Sequence, residues 1–237
     1  EGLEVFRRTV ERANALGLIV IDDSKRNDIG HTASIYATGH LGKTPLIEGE
    51  AEIRKPDFLT INPYLGSDTI NPFLSVCKKN NKGLFILVRT SNPSAEEYQE
   101  AIVQGLPLFQ KIAHDIEKIG FPLRGENGFS PIGAVVGATW PDETAELRAI
   151  MPGAYFLVPG YGAQGASAGH VINTFNQEGY GALINSSRGI IYAFRDPQLN
   201  PKTTPTGFAK ASAQAVLAMR DDLLRSLRQA GKLPENW

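Results

Sequence analysis

The sequence has little of several features that mark particular classes of protein. It holds one cysteine, Cys77, in 237 residues, which excludes a disulfide framework and a metal centre built from thiolates. Lysine and arginine number 24 against 25 aspartates and glutamates, so there is no basic surplus for nucleic acid. No apolar run approaches the roughly 18 residues of a membrane span. We therefore expect a soluble, cytoplasmic protein that binds neither nucleic acid nor a membrane.

Six short apolar runs are present, each bounded by glycine, proline or polar residues. They are apolar at successive positions and do not alternate, which is typical of strands buried on both faces of a parallel sheet. The runs are 18–21, 58–61, 84–88, 132–136, 155–158 and 182–184.

The stretches between these runs have helical periodicity. Leu3, Phe6 and Val10 lie on one face of a first helix that ends at Gly17. A last helix is predicted from about residue 206 to residue 230. Its inward side chains are expected to be Phe208, Val216, Met219, Leu223 and Leu227.

Strand and helix therefore alternate in six βα units, spaced about 33 residues apart over five intervals from residue 19 to residue 182. An open doubly wound sheet and a (β/α)8 TIM barrel both fit this alternation. Eight such units would need ~260 residues, close to the usual barrel size of ~250. The chain begins in a helix. We predict an α/β TIM-barrel domain over residues 1–237, with strands three to eight present.

The densest charge follows the first apolar run, in the segment Asp22-Asp23-Ser24-Lys25-Arg26-Asn27-Asp28. If the strand continues, Asp23 and Lys25 point to the same side, with Asp28 on the loop beyond. A solvated loop is the alternative interpretation. Against it, catalytic groups of barrels sit at the C-terminal ends of strands. Neighbouring carboxylates favour the charged form of a lysine, which suits proton donation better than Schiff-base formation.

A second notable block follows the fifth run, where Gly160, Gly162 and Gly165 spell the G-x-G-x-x-G dinucleotide fingerprint. That fingerprint belongs after a first strand, and the acidic residue expected about 20 positions later is missing. An NADP-binding domain is therefore a distant alternative. In a barrel these glycines and Arg188 would follow strands seven and eight, where phosphate is commonly bound.

These segments resemble orotidine 5′-phosphate decarboxylase, and the resemblance extends over essentially the whole chain. The charged segment is similar to the family signature Asp-x-Lys-x-x-Asp-Ile-Gly-x-Thr, and three further elements match. The matching residues are Asp23, Lys25, Asp28, Ile29, Gly30 and Thr32 in the signature, Ser91-Asn92-Pro93 in a Ser-x-Pro element, Gly162-Ala163-Gln164-Gly165, and Arg188-Gly189.

The resemblance implies decarboxylation of orotidine 5′-monophosphate to UMP without a metal or organic cofactor. Lys25 would protonate C6 of the pyrimidine, and Asp23 would hold Lys25 in place. Ser91 would bond the pyrimidine, and Gln164 and Arg188 would bind the phosphate. The other substrate-binding candidates are Thr32, Pro159, Gly165 and Ser187.

The resemblance also implies a homodimer, in which Asp28 and Thr32 reach into the neighbouring subunit's site. The family's site further uses an aspartate from the first strand and a lysine from the second. Neither has a counterpart in this sequence, so we expect a βαβ segment that the chain does not contain.

Two rival functions stay open. A phosphosugar barrel, such as a hexulose-phosphate synthase or a keto-gulonate-phosphate decarboxylase, shares the Asp-x-Lys-x-x-Asp core but uses Mg²⁺. A barrel that binds nucleotide without catalysis is the other. The four histidines, His31, His40, His114 and His170, show no metal-ligand spacing and are expected to be solvated or on helix surfaces.

Overall fold

The computed structural model describes residues 1–51, 55–162, 167–200, 207–235 and 237. Its centre is a six-stranded sheet in which each strand lies beside the next along the chain, and every pairing is parallel. We number the strands of this sheet only. They are β1 Ile21–Arg26, β2 Phe58–Ile61, β3 Gly83–Arg89, β4 Ser130–Val136, β5 Ala154–Val158 and β6 Ala182–Ile184.

Helices provide the crossovers that parallel neighbours require. The α-helices are α1 Gly2–Ala15, α2 Gly30–Leu41, α3 Ser67–Asn80, α4 Glu96–Gln99, α5 Leu108–Gly120, α6 Pro141–Ile150, α7 Ala168–Val171, α8 Ser187–Ile191 and α9 Phe208–Gln229. Short 3₁₀ turns cover Pro93–Ala95, Phe121–Leu123, Ile172–Thr174 and Ala193–Arg195. Two small antiparallel pairs join Thr44–Pro45 to Glu50–Ala51 and Ile102–Val103 to Leu106–Pro107. None of the described helices is both long and apolar enough to cross a membrane.

The helices pack on one face of the sheet. Alternate strand residues such as Leu59, Ile86 and Phe156 belong to one large core cluster, together with side chains of α2, α3, α5, α6 and α9. The other face carries a separate small cluster of Phe85, Val135 and Leu157. A doubly wound sheet would carry helices on both faces, whereas a barrel has them only outside. This arrangement therefore favours the barrel over the open doubly wound alternative.

Two glycines make room for aromatic rings on the inner face. A Cβ atom on Gly133 would lie 2.6 Å from the ring of Phe85, and one on Gly83 would lie 2.2 Å from the ring of Phe58. The rings of Phe58 and Phe85 are in turn 5.2 Å apart between centroids. The interior is thus filled by large side chains from one strand facing glycine on the next.

The first strand differs from its prediction. The structure begins it at Ile21 rather than at residue 18, and continues it through the charged segment to Arg26. Leu18 and Ile19 are 58% and 72% exposed. The strand begins at Ile21 because its pairing with β2 starts there, opposite Phe58. The other five predicted runs lie within strands of the sheet or match them.

The last helix is also only partly as predicted. Leu227 is buried and Leu223 packs against the core, but Phe208 and Val216 are exposed, so the inward orientation expected for them is wrong. The N-terminal half of α9 instead packs through small residues. Ala211 is buried, and the Ser212 hydroxyl donates to the Ile190 carbonyl at 2.8 Å.

A buried arginine joins the last two strands at the end of the sheet opposite the strands' carboxyl ends. The Arg148 guanidinium donates to the carbonyls of Met151, Ala154, Thr174 and Gly181 at 2.7–3.0 Å. It also stacks 3.6 Å from the centroid of the Phe156 ring. Because burial disfavours the charged form, the pKa of Arg148 falls to about 10.

Candidate active site

A cavity of about 490 Å³ lies at the carboxyl ends of the strands, where a barrel carries its active site. Four strand ends form its walls. Its apolar floor consists of Leu87, Val135 and Leu157 from the inner face of the sheet.

The first wall is the charged segment on β1. The Lys25 ammonium donates to Asp23 Oδ1 at 2.6 Å, and both side chains line the cavity. Their side chains are 47% and 58% exposed, so the pair is open to a ligand. This confirms the prediction that the two residues point to the same side of a continuing strand.

The second wall follows β3 and consists of Thr90, Ser91 and Asn92. Ser91 lies against Gly137, which follows β4. A Cβ atom on Gly137 would come within 2.9 Å of the Ser91 backbone nitrogen, Cα and Cβ atoms. Only glycine therefore lets the backbone of Ser91 approach this closely.

Side chains behind this wall hold it rigidly. The Gln99 amide accepts from the Thr90 N–H at 3.0 Å and donates to its hydroxyl at 2.8 Å, while the Trp140 indole donates to the Thr90 carbonyl at 2.9 Å. The fully buried Arg89 lies 3.9 Å from the centroid of the Trp140 ring. Its guanidinium donates twice to Glu143, at 2.5 and 3.0 Å.

The remaining walls follow β5 and β6. Pro159, Gly160 and Tyr161 come from the fifth strand, and the range 185–188 comes from the sixth. The two are joined by the Ser186 hydroxyl, which donates to the Tyr161 carbonyl at 3.2 Å. The glycine-rich block thus follows the fifth strand of the sheet, as predicted, and not the first, where a dinucleotide fingerprint would lie.

Tyr161 is anchored on the last helix. Its hydroxyl donates to Asp222 Oδ2 on α9 at 2.7 Å. Burial and this bond to a carboxylate raise the pKa of Tyr161 to about 12. The tyrosine is therefore neutral at physiological pH and serves as a hydrogen-bond donor.

Comparison with known proteins identifies the family to which the chain belongs. A family model described as "Orotidine 5'-phosphate decarboxylase / HUMPS family" matches residues 1–200. The chain belongs to the orotidine 5′-phosphate decarboxylase family. Proteins named orotidine 5′-phosphate decarboxylase are 39% identical to it in Rhodopirellula baltica and 40% identical in Petrotoga mobilis, each over 94% of this chain and 72–73% of the relative. The relative from Caldicellulosiruptor bescii is 40% identical over 82% of this chain and 64% of its own length.

Solved structures agree. The Leishmania donovani OMP decarboxylase matches with a TM-score of 0.67 and 30% identity, covering 93% of this chain and 76% of that one. The UMP synthase of the same organism matches with a TM-score of 0.63 and 32% identity over 86% of this chain and 40% of that one. The predicted family and its carboxy-lyase activity, the last step of UMP synthesis, are thereby confirmed. The chain spans only 64–74% of the curated orotidine 5′-phosphate decarboxylases it matches.

Of the predicted residues of the decarboxylase site that the structure describes, six meet in the cavity and two do not. The six are Asp23, Lys25, Ser91, Pro159, Ser187 and Arg188. Asp28 and Thr32 lie outside its lining: Asp28 Oδ1 accepts from the Ile29 N–H at 2.8 Å, and Thr32 is exposed on α2. Gln164 and Gly165 lie outside the residues that the structure describes.

One expectation about histidine is wrong. His40 is half-buried, and its Nδ1 lies 2.7 Å from Oδ2 of the buried Asp22 on the outer side of β1. Burial of Asp22 opposes its ionisation and is the largest single effect, but the bond to His40 and other nearby groups, the charge of Arg26 among them, together outweigh burial and lower the pKa of Asp22 below its usual value. The solvated loop that was the alternative interpretation of this segment does not describe Asp22, which is buried on β1. Among the described residues, no three His, Cys, Asp or Glu side chains are grouped to hold a metal.

Several residues that line the cavity were not predicted from the sequence. Thr90, Asn92, Tyr161, Asn185 and Ser186 each lie within two residues of a predicted site residue. Proximity to the motifs was the available signal, but their side chains are common in loops. The floor residues Leu87, Val135 and Leu157 carried no signal, because in sequence they are ordinary strand residues.

Proposed function

We propose that the chain decarboxylates orotidine 5′-monophosphate in the cytoplasm, with Lys25 as the proton donor. The observation that carries this is the Lys25–Asp23 pair, 2.6 Å apart on the wall of a cavity that Ser91 and Arg188 also line. The bond between C6 and the carboxylate breaks, CO₂ leaves, and its electron pair stays on C6. A proton from Lys25 Nζ then occupies that position and gives UMP.

The difficulty of this reaction is the carbanion at C6, which no adjacent carbonyl delocalises. A preorganised cation where the charge develops lowers the barrier electrostatically, and Lys25 supplies that cation. Asp23 holds the ammonium in place through their hydrogen bond. The scheme assigns no step to a metal or an organic cofactor.

The two ends of the substrate would be held on different walls. Ser91 and Pro159 face the pyrimidine, while Ser187 and Arg188 bind the phosphate, together with Gln164 and Gly165. A guanidinium suits this role because its fork of N–H donors matches phosphate oxygens. Binding energy from the phosphate would then position the pyrimidine against Lys25. The shared lining of one cavity supports this division of roles.

Asp28 and Thr32 are proposed to complete the site of a second copy in a homodimer. Neither lines the cavity of its own chain, and both follow the end of β1, where a loop can cross an interface. Mixing an Asp28→Ala chain with a Lys25→Ala chain tests this, because a shared site regains one intact copy in each mixed dimer. If activity does not return despite demonstrated subunit exchange, Asp28 serves its own barrel.

The six strands are proposed to be strands three to eight of an eight-stranded barrel in a single domain. Within the described residues, β1 pairs only with β2 and β6 only with β5, and two of the four cavity walls follow the last two strands. A crystal structure of the longest natural form of the protein tests the count. Two further parallel strands between β6 and β1 would support it, and any other closure would contradict it.

The activity is tested by release of labelled CO₂ from carboxyl-labelled orotidine 5′-monophosphate, with and without EDTA. We expect CO₂ release that EDTA leaves unchanged. Loss of activity in EDTA, restored by Mg²⁺, would favour the phosphosugar-barrel alternative. Binding of UMP without any CO₂ release would favour a non-catalytic nucleotide-binding barrel.

A further inference from the structure

The backbone of β1 is irregular where it carries Lys25. Ile21 and Asp22 pair with Phe58 and Leu59, and pairing resumes only between Arg26 and Ile61. Three residues of β1 therefore face one residue of β2, which is a bulge. Within the bulge Lys25 has a φ of +50°, a conformation that a side chain with a Cβ atom rarely adopts.

The residue opposite the bulge is Thr60, which is fully buried. Its hydroxyl oxygen accepts from the Lys25 N–H at 2.9 Å. The same hydroxyl donates to the Asp22 carbonyl oxygen at 3.4 Å. A threonine hydroxyl has one proton and two lone pairs, so it serves both partners at once.

These contacts replace backbone bonds that a regular ladder would supply. The Lys25 N–H has no carbonyl opposite it in the bulge and is satisfied by a side chain of the neighbouring strand. A residue in a sparsely populated conformation persists only when its surroundings fix it. The Thr60 hydroxyl is the described group that fixes the Lys25 backbone from across the sheet.

We infer that Thr60 is a positioning residue for the proton donor: its hydroxyl holds the β1 bulge in the conformation that aims Lys25 and Asp23 into the cavity. This inference rests on the proposed role of Lys25. It assigns Thr60 no contact with substrate, since Thr60 does not line the cavity. Its loss should therefore affect the chemical step more than substrate binding.

The test compares Thr60→Val with Thr60→Ser in the full chain. Valine keeps the branched shape and loses the hydroxyl, whereas serine keeps the hydroxyl. We expect kcat to fall about 10–100-fold in Thr60→Val with KM within about threefold, and Thr60→Ser to lie within about threefold of the parent. A matched control is Thr69→Val on α3, another buried threonine, whose hydroxyl donates to the Gly66 carbonyl away from the cavity. It should leave kcat unchanged.

A kcat in Thr60→Val within about twofold of the parent, or a Thr60→Ser variant as slow as Thr60→Val, would overturn the inference. If Thr60→Val does not fold, Thr60→Ala and Thr60→Ser take its place, because they differ only in the hydroxyl. Equal kcat values for Thr60→Ala and Thr60→Ser would likewise overturn the inference.

Amide hydrogen exchange of Lys25, followed by NMR, separates this inference from the proposed function. Exchange should quicken about tenfold or more in Thr60→Val whether or not Lys25 is catalytic. Unchanged exchange contradicts the positioning role. Unchanged turnover in Lys25→Ala contradicts the proposed function instead.

Discussion

Two walls of one cavity are built in opposite ways. On β1, the charged pair of Asp23 and Lys25 is about half exposed and is held by a backbone bulge. On β3, the chain at Ser91 rests on a buried network that extends through Thr90 to Trp140 and Arg89. The reacting groups are open to solvent and are held by one hydroxyl of the neighbouring strand, whereas the predicted pyrimidine contact rests on a buried network of several side chains.

The difference indicates which part of the site can lose its activity without a loss of folding stability. An exposed ion pair contributes little to stability, so changes on the β1 wall should affect chemistry alone. A buried guanidinium bonded to carboxylates is part of the core, so changes behind the β3 wall should affect folding first. Substitutions on the two walls therefore test this separation.

The largest effect is expected from Lys25→Ala. Turnover of orotidine 5′-monophosphate should fall about a thousandfold or more, because the cation beside the developing charge and the proton donor are both lost. UMP affinity by calorimetry should stay within about tenfold, and the urea midpoint should not move. Lys118→Ala, an exposed lysine on α5, is the control. Activity of Lys25→Ala within tenfold of the parent would show that another group donates the proton.

Arg89→Met should be the most destabilising change. It leaves the partly exposed Glu143 and Glu100 without their common partner, and losing these charge-assisted hydrogen bonds costs about 1–3 kcal/mol of the unfolding free energy. Urea denaturation followed by circular dichroism measures it. Arg220→Met, which removes an exposed ion pair with Asp221, should leave the midpoint unchanged. Equal stability of the two variants would mean that the Arg89 network does not support the β3 wall.

Arg188→Ala should lower kcat/KM about 10–100-fold and raise KM, because the energy of phosphate binding is lost. Arg188→Lys should recover only part of this, since an ammonium lacks the guanidinium's paired donors. Arg195→Ala is a matched control, because Arg195 stacks on Tyr192 outside the cavity lining. An unchanged KM in Arg188→Ala would remove the arginine from the phosphate site.

The smallest effect is expected from the pair behind β1. Because the pKa of Asp22 is lower in the folded protein, its ionisation stabilises the fold above the unfolded pKa of ~4 and ceases to do so as pH falls through the folded pKa. Asp22→Asn should therefore be about 1–2 kcal/mol less stable at pH 7, with the difference shrinking below about pH 4. Urea midpoints measured across that range decide it; a difference independent of pH would contradict a stabilising role for the ionised Asp22 carboxylate.

Much of the β1 wall could be predicted from the sequence because its information is local. Asp23 and Lys25 are two residues apart, so a continuing strand places them on one side. The bulge was not predictable, since it depends on Thr60, 35 residues further along the chain.

Little of the β3 wall could be predicted from the sequence, because its support comes from distant residues. Ser91 was found through the Ser-x-Pro element, but its supports Gly137 and Trp140 lie beyond another whole βα unit. Their roles come from tertiary contacts that leave no pattern in the sequence. The first strand was misplaced for a related reason: its apolar run from residue 18 is exposed, and pairing with β2 extends it through charged residues instead.

Arg148 links several segments of the C-terminal part of the molecule, and this affects how they unfold locally. One guanidinium is bonded to carbonyls before and at the start of β5, ahead of β6, and in the turn at Ile172–Thr174. None of these segments can leave alone without stripping acceptors from a buried cation, which is costly. We therefore expect the segments at the starts of β5 and β6 and the turn at Ile172–Thr174 to open together, as one cooperative unit of local unfolding.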